Sequence, residues 1–303
     1  MKQNVLSSGK LVVVPETMDI QNDQEHPRTP RTPGLAAKKA NKLRRAPSED
    51  ALHMLRSLVK RSKRGTGVPL QESFIRRENA ASAPPPPLTQ LLRGGQGGEV
   101  RLKLYLTMSL LAVSAPYDIR PIPARSWASA LGLDDPGRNG ARRISDAIDW
   151  LAEHKLLVAE RRQGTPGTVR LLSQDGTGGP YTRPSPVGRY VRLPLGLWEQ
   201  GWIVRLSGTA LALLIVLLDL QGGRPGPQWI SPAQARRRYD LSPDTWTKGI
   251  KELKTLELVT VSRRPQGDIF DYQRMRNTYW VHENKLQGPD APSGRIGRRR
   301  TRR

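Results

Sequence analysis

Between positions 236 and 264 the chain places Arg236, Arg237, Arg238, Lys248, Lys251, Arg263 and Arg264. Cations at that density do one kind of chemistry: they hold anionic oxygens, arginine as a planar fork and lysine as a point charge. Plotted at about 100° per residue, Asp244, Thr247, Lys248, Lys251 and Thr255 share one arc of a helix. Trp246, Ile250 and Leu253 fall on the opposite side and form a predicted core stripe. Arg274 and Arg276 add two cations further on. A second, weaker set is Arg138, Asn139, Arg142 and Arg143 followed by Arg161 and Arg162. Here the outward arc also carries Asp146, Asp149 and Glu153, and acids facing phosphate are unfavourable. Only the N-terminal end of that helix is expected to approach an anion.

Covalent and metal chemistry find no foothold. No G-x-x-x-x-G-K-[ST] occurs, so the glycines at 94–98 read as a spacer rather than a phosphate loop. His26, His53, His154 and His282 are isolated, and there is no cysteine. Asp134 and Asp135 read as loop residues before a helix. The chain is therefore expected to be non-enzymatic, with no cofactor and no metal. The charge is the stronger signal. Among 303 residues, 50 Lys+Arg against 27 Asp+Glu leave +23, which points to nucleic acid, an anionic membrane or an acidic protein as partner. A membrane span is not expected, because the most apolar run, Ala210 to Leu218, falls far short of the ~20 residues needed. No secretory signal is visible either, since Leu11 to Val14 is too short for one. A cytoplasmic, nucleoid-associated protein is the expectation.

The elements that position the cations come as a repeat. Ile148 to Arg162 aligns without gaps to Ile250 to Arg264 at an offset of 102, matching Ile148 with Ile250, Leu151 with Leu253, Leu156 with Leu258 and the two arginine pairs. Each segment passes from a helical apolar period into a β-like run and a turn, Gln163–Gly167 in one and Pro265–Asp268 in the other. Upstream, Ser231-Pro232 with Gln234 spells a capping box, and Ser242-Pro243-Asp244 starts the next helix. The first copy has counterparts in Ile122 to Ala130, a turn at Leu131–Leu133, and a helix from about Asn139 to His154. The first turn is six residues longer, an insertion assigned to the Asp134–Gly140 loop. Each copy is preceded by an apolar helix, Val100 to Val113 and Ser207 to Leu220.

The flanks read differently. Residues 1–97 hold 17 basic and 8 acidic residues, and 288–303 hold 6 and 1, leaving +9 of the +23 for 98–287. Proline runs and scarce periodicity predict a disordered basic N-terminal region over 1–97 and a disordered arginine-rich tail over 288–303. One helical pattern interrupts the first: Ser48 as cap, Glu49 and Asp50 in the first turn, Leu52, Leu55 and Val59 on a stripe, Lys60 to Arg64 at the end. It suits a basic amphipathic helix for a partner or for DNA, but such a helix alone is too short to be stable. Between the tails the expectation is 98–173 as one domain, 174–187 as linker and 188–287 as a second domain.

The order helix, helix, turn, helix, hairpin, found twice, is similar to the winged helix-turn-helix superfamily. Leu241-Ser-Pro-Asp-Thr, with Glu252-Leu253, Leu258-Val259 and Arg276-Asn277-Thr278-Tyr279, looks like the variety common in phage and plasmid replication or regulatory proteins. The tandem arrangement resembles plasmid replication initiators. That resemblance implies a mainly α fold with small β-hairpins (α+β): two tandem winged helix-turn-helix domains with basic tails. It implies double-stranded DNA as partner, with the arc of Asp244, Thr247, Lys248 and Lys251 in the major groove, and a role in replication initiation or transcription regulation. The first unit either reads DNA or makes a homodimer. The alternative is an architectural protein that uses winged helices for protein docking while its tails bind nucleic acid unspecifically.

Overall fold

The computed structural model describes residues 46–77, 83–93, 97–162, 165–184, 189–224, 226–266 and 274–288. It is mixed α and β, mostly helical, with three small antiparallel sheets. At its centre lie two helices that are buried on nearly every side, α4 (Gly98–Leu111) and α9 (Gly208–Gln221). A helix buried all round must be surrounded, not laid on a surface, and the rest of the chain does the surrounding. Among the described residues no helix is long and apolar enough to cross a membrane.

Each central helix opens one copy of the repeat. After α4 come β2 (Asp118–Ile119), α5 (Ala124–Ala130), α6 (Asn139–Glu153), β3 (Leu157–Arg162) and β4 (Thr165–Leu171). After α9 come β6 (Gln228–Trp229), α10 (Pro232–Tyr239), α11 (Pro243–Thr255), β7 (Val259–Gln266) and β8 (Arg274–Val281). The sheets have matching orders, β2-β4-β3 and β6-β8-β7. The punctuation read from sequence holds: Ser207, Ser231 and Ser242 each cap their helix through the side chain, with the full capping box at Ser231 and Gln234. The edge strands β2 and β6, two residues each, leave no mark on the sequence. They are too brief to show a period.

The expected disorder of 1–97 is corrected for 46–77 and 83–93. These residues form α1 (Glu49–Ser62), β1 (Val68–Gln71), α2 (Glu72–Ile75) and α3 (Pro87–Leu92). Leu55, Val68, Leu70, Phe74, Ile75, Leu88 and Leu91 are all 0% exposed. The helix too short to be stable alone does not stand alone: α1 packs on α4, α5 and α7 (Gly196–Glu199), which the short α8 (Trp202–Arg205) follows. Arg64, just after it, donates to the carbonyls of Ser109, Leu110 and Ala112 at 2.8–2.9 Å. That caps the negative end of α4 with a cation. β1 pairs with β5 (Tyr190–Leu193) along its whole length. The described part of the expected linker is packed too, with Gln174 and Tyr181 buried. The expected disorder of 1–45 and 289–303 lies outside the described residues.

The two copies are joined by one continuous core, which separate domains would not share. A polar knot crosses the junction. The Lys103 ammonium, 3% exposed, donates to Glu99 at 2.7 Å and to the Val204 carbonyl at 3.0 Å. The N-terminus of α9 is met by both copies, since Gly208 N–H donates to Glu99 and Ser207 donates through N–H and Oγ to Glu252 of α11. Burial pushes the Glu252 carboxyl up, and the Ser207 bonds oppose that rise. These are carboxylates at a positive helix end.

Packing of α11 on α9 turns on Gly249, where a Cβ would meet Leu213 Cδ2 at 2.8 Å. Gly249→Val is expected to lower stability by ~1–3 kcal/mol, the usual cost of overpacking, read as a lower midpoint in a thermal melt of the full chain. An unchanged midpoint would mean that α11 does not rest on α9 there.

Candidate nucleic-acid interface

Helix α11 carries the predicted arc, and the structure leaves it open: Asp244, Thr247, Lys248 and Lys251 are all exposed. Asp244 is not a bare acid. Its carboxylate accepts from Lys248 at 2.7 Å in an i,i+4 pair whose side chains are both 71% exposed, an arrangement of small energetic weight. The predicted core stripe is rotated from its expected centre. Gly249 and Leu253 are buried, whereas Trp246 and Ile250 are half-buried. The Trp246 indole donates to the Tyr279 hydroxyl at 3.2 Å and meets that ring edge-on.

The β7–β8 hairpin brings in the next four cations, though not as one set. Arg263 pairs with Asn277 and Arg264 with Arg276, and opposed residues share a face of an antiparallel ribbon while neighbours alternate. Arg263 therefore lies on the Val261 and Tyr279 face toward α11, and Arg264, Arg274 and Arg276 lie on the other. Like charges directly opposed, as at Arg264 and Arg276, are destabilising unless an anion lies near. Arg276 is steadied by Trp229, its guanidinium 4.1 Å from the ring centre. Between α11 and the hairpin runs an open cleft of about 410 Å³ floored by Trp246, Ile250 and Tyr279 and walled by Lys251, Lys254 and Asn277. Among the described residues no acid lines it. Sequence reasoning missed Lys254 and Asn277. Lys254 falls at the border between stripe and arc, where the helical period assigns no side.

The third cation set sits at the end of α10. Arg236 and Arg237 are exposed, and Arg238 is half-buried with its guanidinium 5.6 Å from the Tyr239 ring. The turn that follows is fastened by the N-terminal segment. Arg77 donates its N–H to the Arg238 carbonyl at 2.9 Å, Thr89 donates to the Tyr239 carbonyl at 2.6 Å, and Asp240 is paired with both Arg77 and Arg93. Asp240 is the left-handed residue that ends α10. Tyr239 donates to Asp219 at 2.7 Å, and burial drives the tyrosine hydroxyl far above its ordinary range. The angle between α10 and α11 is thus held by residues from a region expected to be disordered.

In the first copy Arg138, Asn139, Arg142 and Arg143 stand exposed at the N-terminal end of α6. Asp135 accepts from the Asn139 N–H at 3.3 Å. Asp146, Asp149 and Glu153 are exposed along the rest of the helix. Arg161 and Arg162 end β3, where Arg162 pairs with Thr165 across the turn; their side chains lie outside the described residues. Trp150 is half-buried between His154 and Arg101. Among the described residues no group of three His, Cys, Asp or Glu is placed to hold a metal. No protein family, curated protein or solved structure matches the chain.

Proposed function

We propose that this protein binds double-stranded DNA sequence-specifically through two winged helix-turn-helix units, in replication initiation or transcription regulation of a plasmid or phage. The observation that carries the reading is the repeat itself, helix, strand, helix, turn, helix and hairpin with one sheet order. In its second copy an exposed helix with three lysines faces, across a cleft that no acid lines among the described residues, a hairpin that carries Arg263 on that side and three arginines on the other. In winged units the third helix reads base edges in the major groove, and α11 offers Thr247, Lys248 and Lys251 for that. The hairpin and α10 cations then contact phosphates, which fix register without reading sequence. Selection from random duplexes with the full chain tests this directly. Enrichment of one motif is the expected result. Retention of duplexes with no enriched motif would leave the architectural alternative in its place.

A further inference from the structure

Helix α1 is conspicuous in the sequence, and neither copy of the repeat uses it. Its apolar stripe is already occupied, with Ala51, Leu55 and Val59 buried, so it has no apolar face to lend a partner. Its outward face is another matter. His53, Arg56, Ser57, Lys60, Arg61 and Lys63 are all exposed, and the first four fall at i, i+3, i+4 and i+7 on one side. The acids Glu49 and Asp50 are confined to the first turn. Two neighbouring cations are engaged elsewhere: Arg56 donates to the Glu199 carbonyl at 3.1 Å, and Arg64 caps α4. Lys60, Arg61 and Lys63 have no ion-pair partner among the described residues.

Complementing the helix dipole accounts for Lys60 and Arg61 in the last turn, but Lys63 at the C-cap adds a third exposed cation beside them. The setting gives the face a use. α1 packs against α5, the helix before α6 in the first copy, and α5 presents an exposed Arg125. The copy whose third helix is acidic along most of its length thus carries a cationic helix beside it. We infer that the exposed face of α1 contacts the phosphodiester backbone of duplex DNA, and that Lys60, Arg61 and Lys63 supply much of the first copy's grip on the duplex in place of α6. This rests on the duplex-binding reading above.

The test compares the full chain carrying Lys60→Gln, Arg61→Gln and Lys63→Gln together with wild type, on the selected duplex across a salt series. Each phosphate contact contributes about 0.9 to the log–log salt slope. The triple variant is expected to lose two to three units of slope, and affinity on the order of 100-fold at about 0.1 M salt, with its preferred sequence and thermal midpoint unchanged. The double variant Lys60→Gln, Lys63→Gln keeps the test open if the triple folds poorly, with about two units lost. A wild-type chain that binds duplex while both variants bind equally well overturns the role of α1 alone. A wild-type chain without affinity for any duplex overturns the DNA reading and this inference with it. Phosphatidylserine vesicles that capture wild type but not the triple variant, with duplex affinity unchanged, would assign the face to a lipid surface and overturn the inference.

Discussion

A chain shortened to begin at residue 98 is expected to lose its cooperative thermal transition. Seven large apolar side chains before that point are fully buried, from Leu55 to Leu91. Burying one such side chain contributes ~1.5–3 kcal/mol, so together they rival the ~5–15 kcal/mol that a folded protein has in all. The loss is not only apolar. β5 would lose the strand it pairs with, three carbonyls at the end of α4 would lose Arg64, and Asp240 would keep neither arginine. A milder probe is Phe74→Ala, which removes a ring stacked on Tyr105 with centroids 5.2 Å apart. Large-to-small changes of this kind cost ~3–5 kcal/mol, which for a chain this size lowers the melting midpoint by roughly 10 °C. A shortened chain that keeps the full-length melt and circular dichroism would show that residues 46–93 are an accessory and not part of the core.

That this region reads as disordered in sequence has a physical reason. Sequence periodicity reports an element that buries one face over several turns, and 46–93 does so only in α1. β1 is Val68-Pro-Leu-Gln71, four residues with a proline inside, which reads as a break and not as an edge strand. Phe74 and Ile75 sit in a helix of four residues, and Leu88 and Leu91 in one of six that opens on the last of four prolines. Each contributes one or two anchors to a core made elsewhere, so its burial depends on partners far along the chain. The repeat was legible because its signals are local: serine caps, a proline at the first helical position, an apolar period. The centre of the α11 stripe is misplaced because a glycine has no hydrophobicity to plot, although Gly249 packs so tightly on α9 that a Cβ there would collide with Leu213. The arginine pair 263–264 reads as a single patch in sequence, and strand alternation sends its members to opposite faces.

Among single substitutions the largest effect on binding is expected from Lys251→Glu, with Asp149→Lys as its counterpart. The two positions align in the repeat, and both are exposed on the third helix of their copy. On α11 the lysine walls the cleft beside Lys254 and Asn277. On the proposed reading, replacing it takes a cation out of the groove and puts a repulsive charge there, which is expected to lower duplex affinity by about 10- to 100-fold at about 0.1 M salt. Folding should be untouched, because the side chain bears no part of the core. Arg263→Ala with Arg264→Ala gives the comparison, weakening all duplexes alike because backbone contacts carry no sequence. For Asp149→Lys the outcome depends on what touches DNA in the first copy. If α6 lies along the groove, a lysine there tightens binding and steepens the salt slope by about one unit. If that copy grips the duplex through α1 and the N-terminal end of α6, the new lysine changes little, and that is the expected result. If instead the first copy serves to pair two chains, Asp149→Lys shifts the sedimentation of the free protein and leaves the affinity of each chain alone. A Lys251→Glu protein that melts like wild type and binds its selected duplex with undiminished affinity would remove α11 from the interface, and with it the assignment of the second copy as the reader.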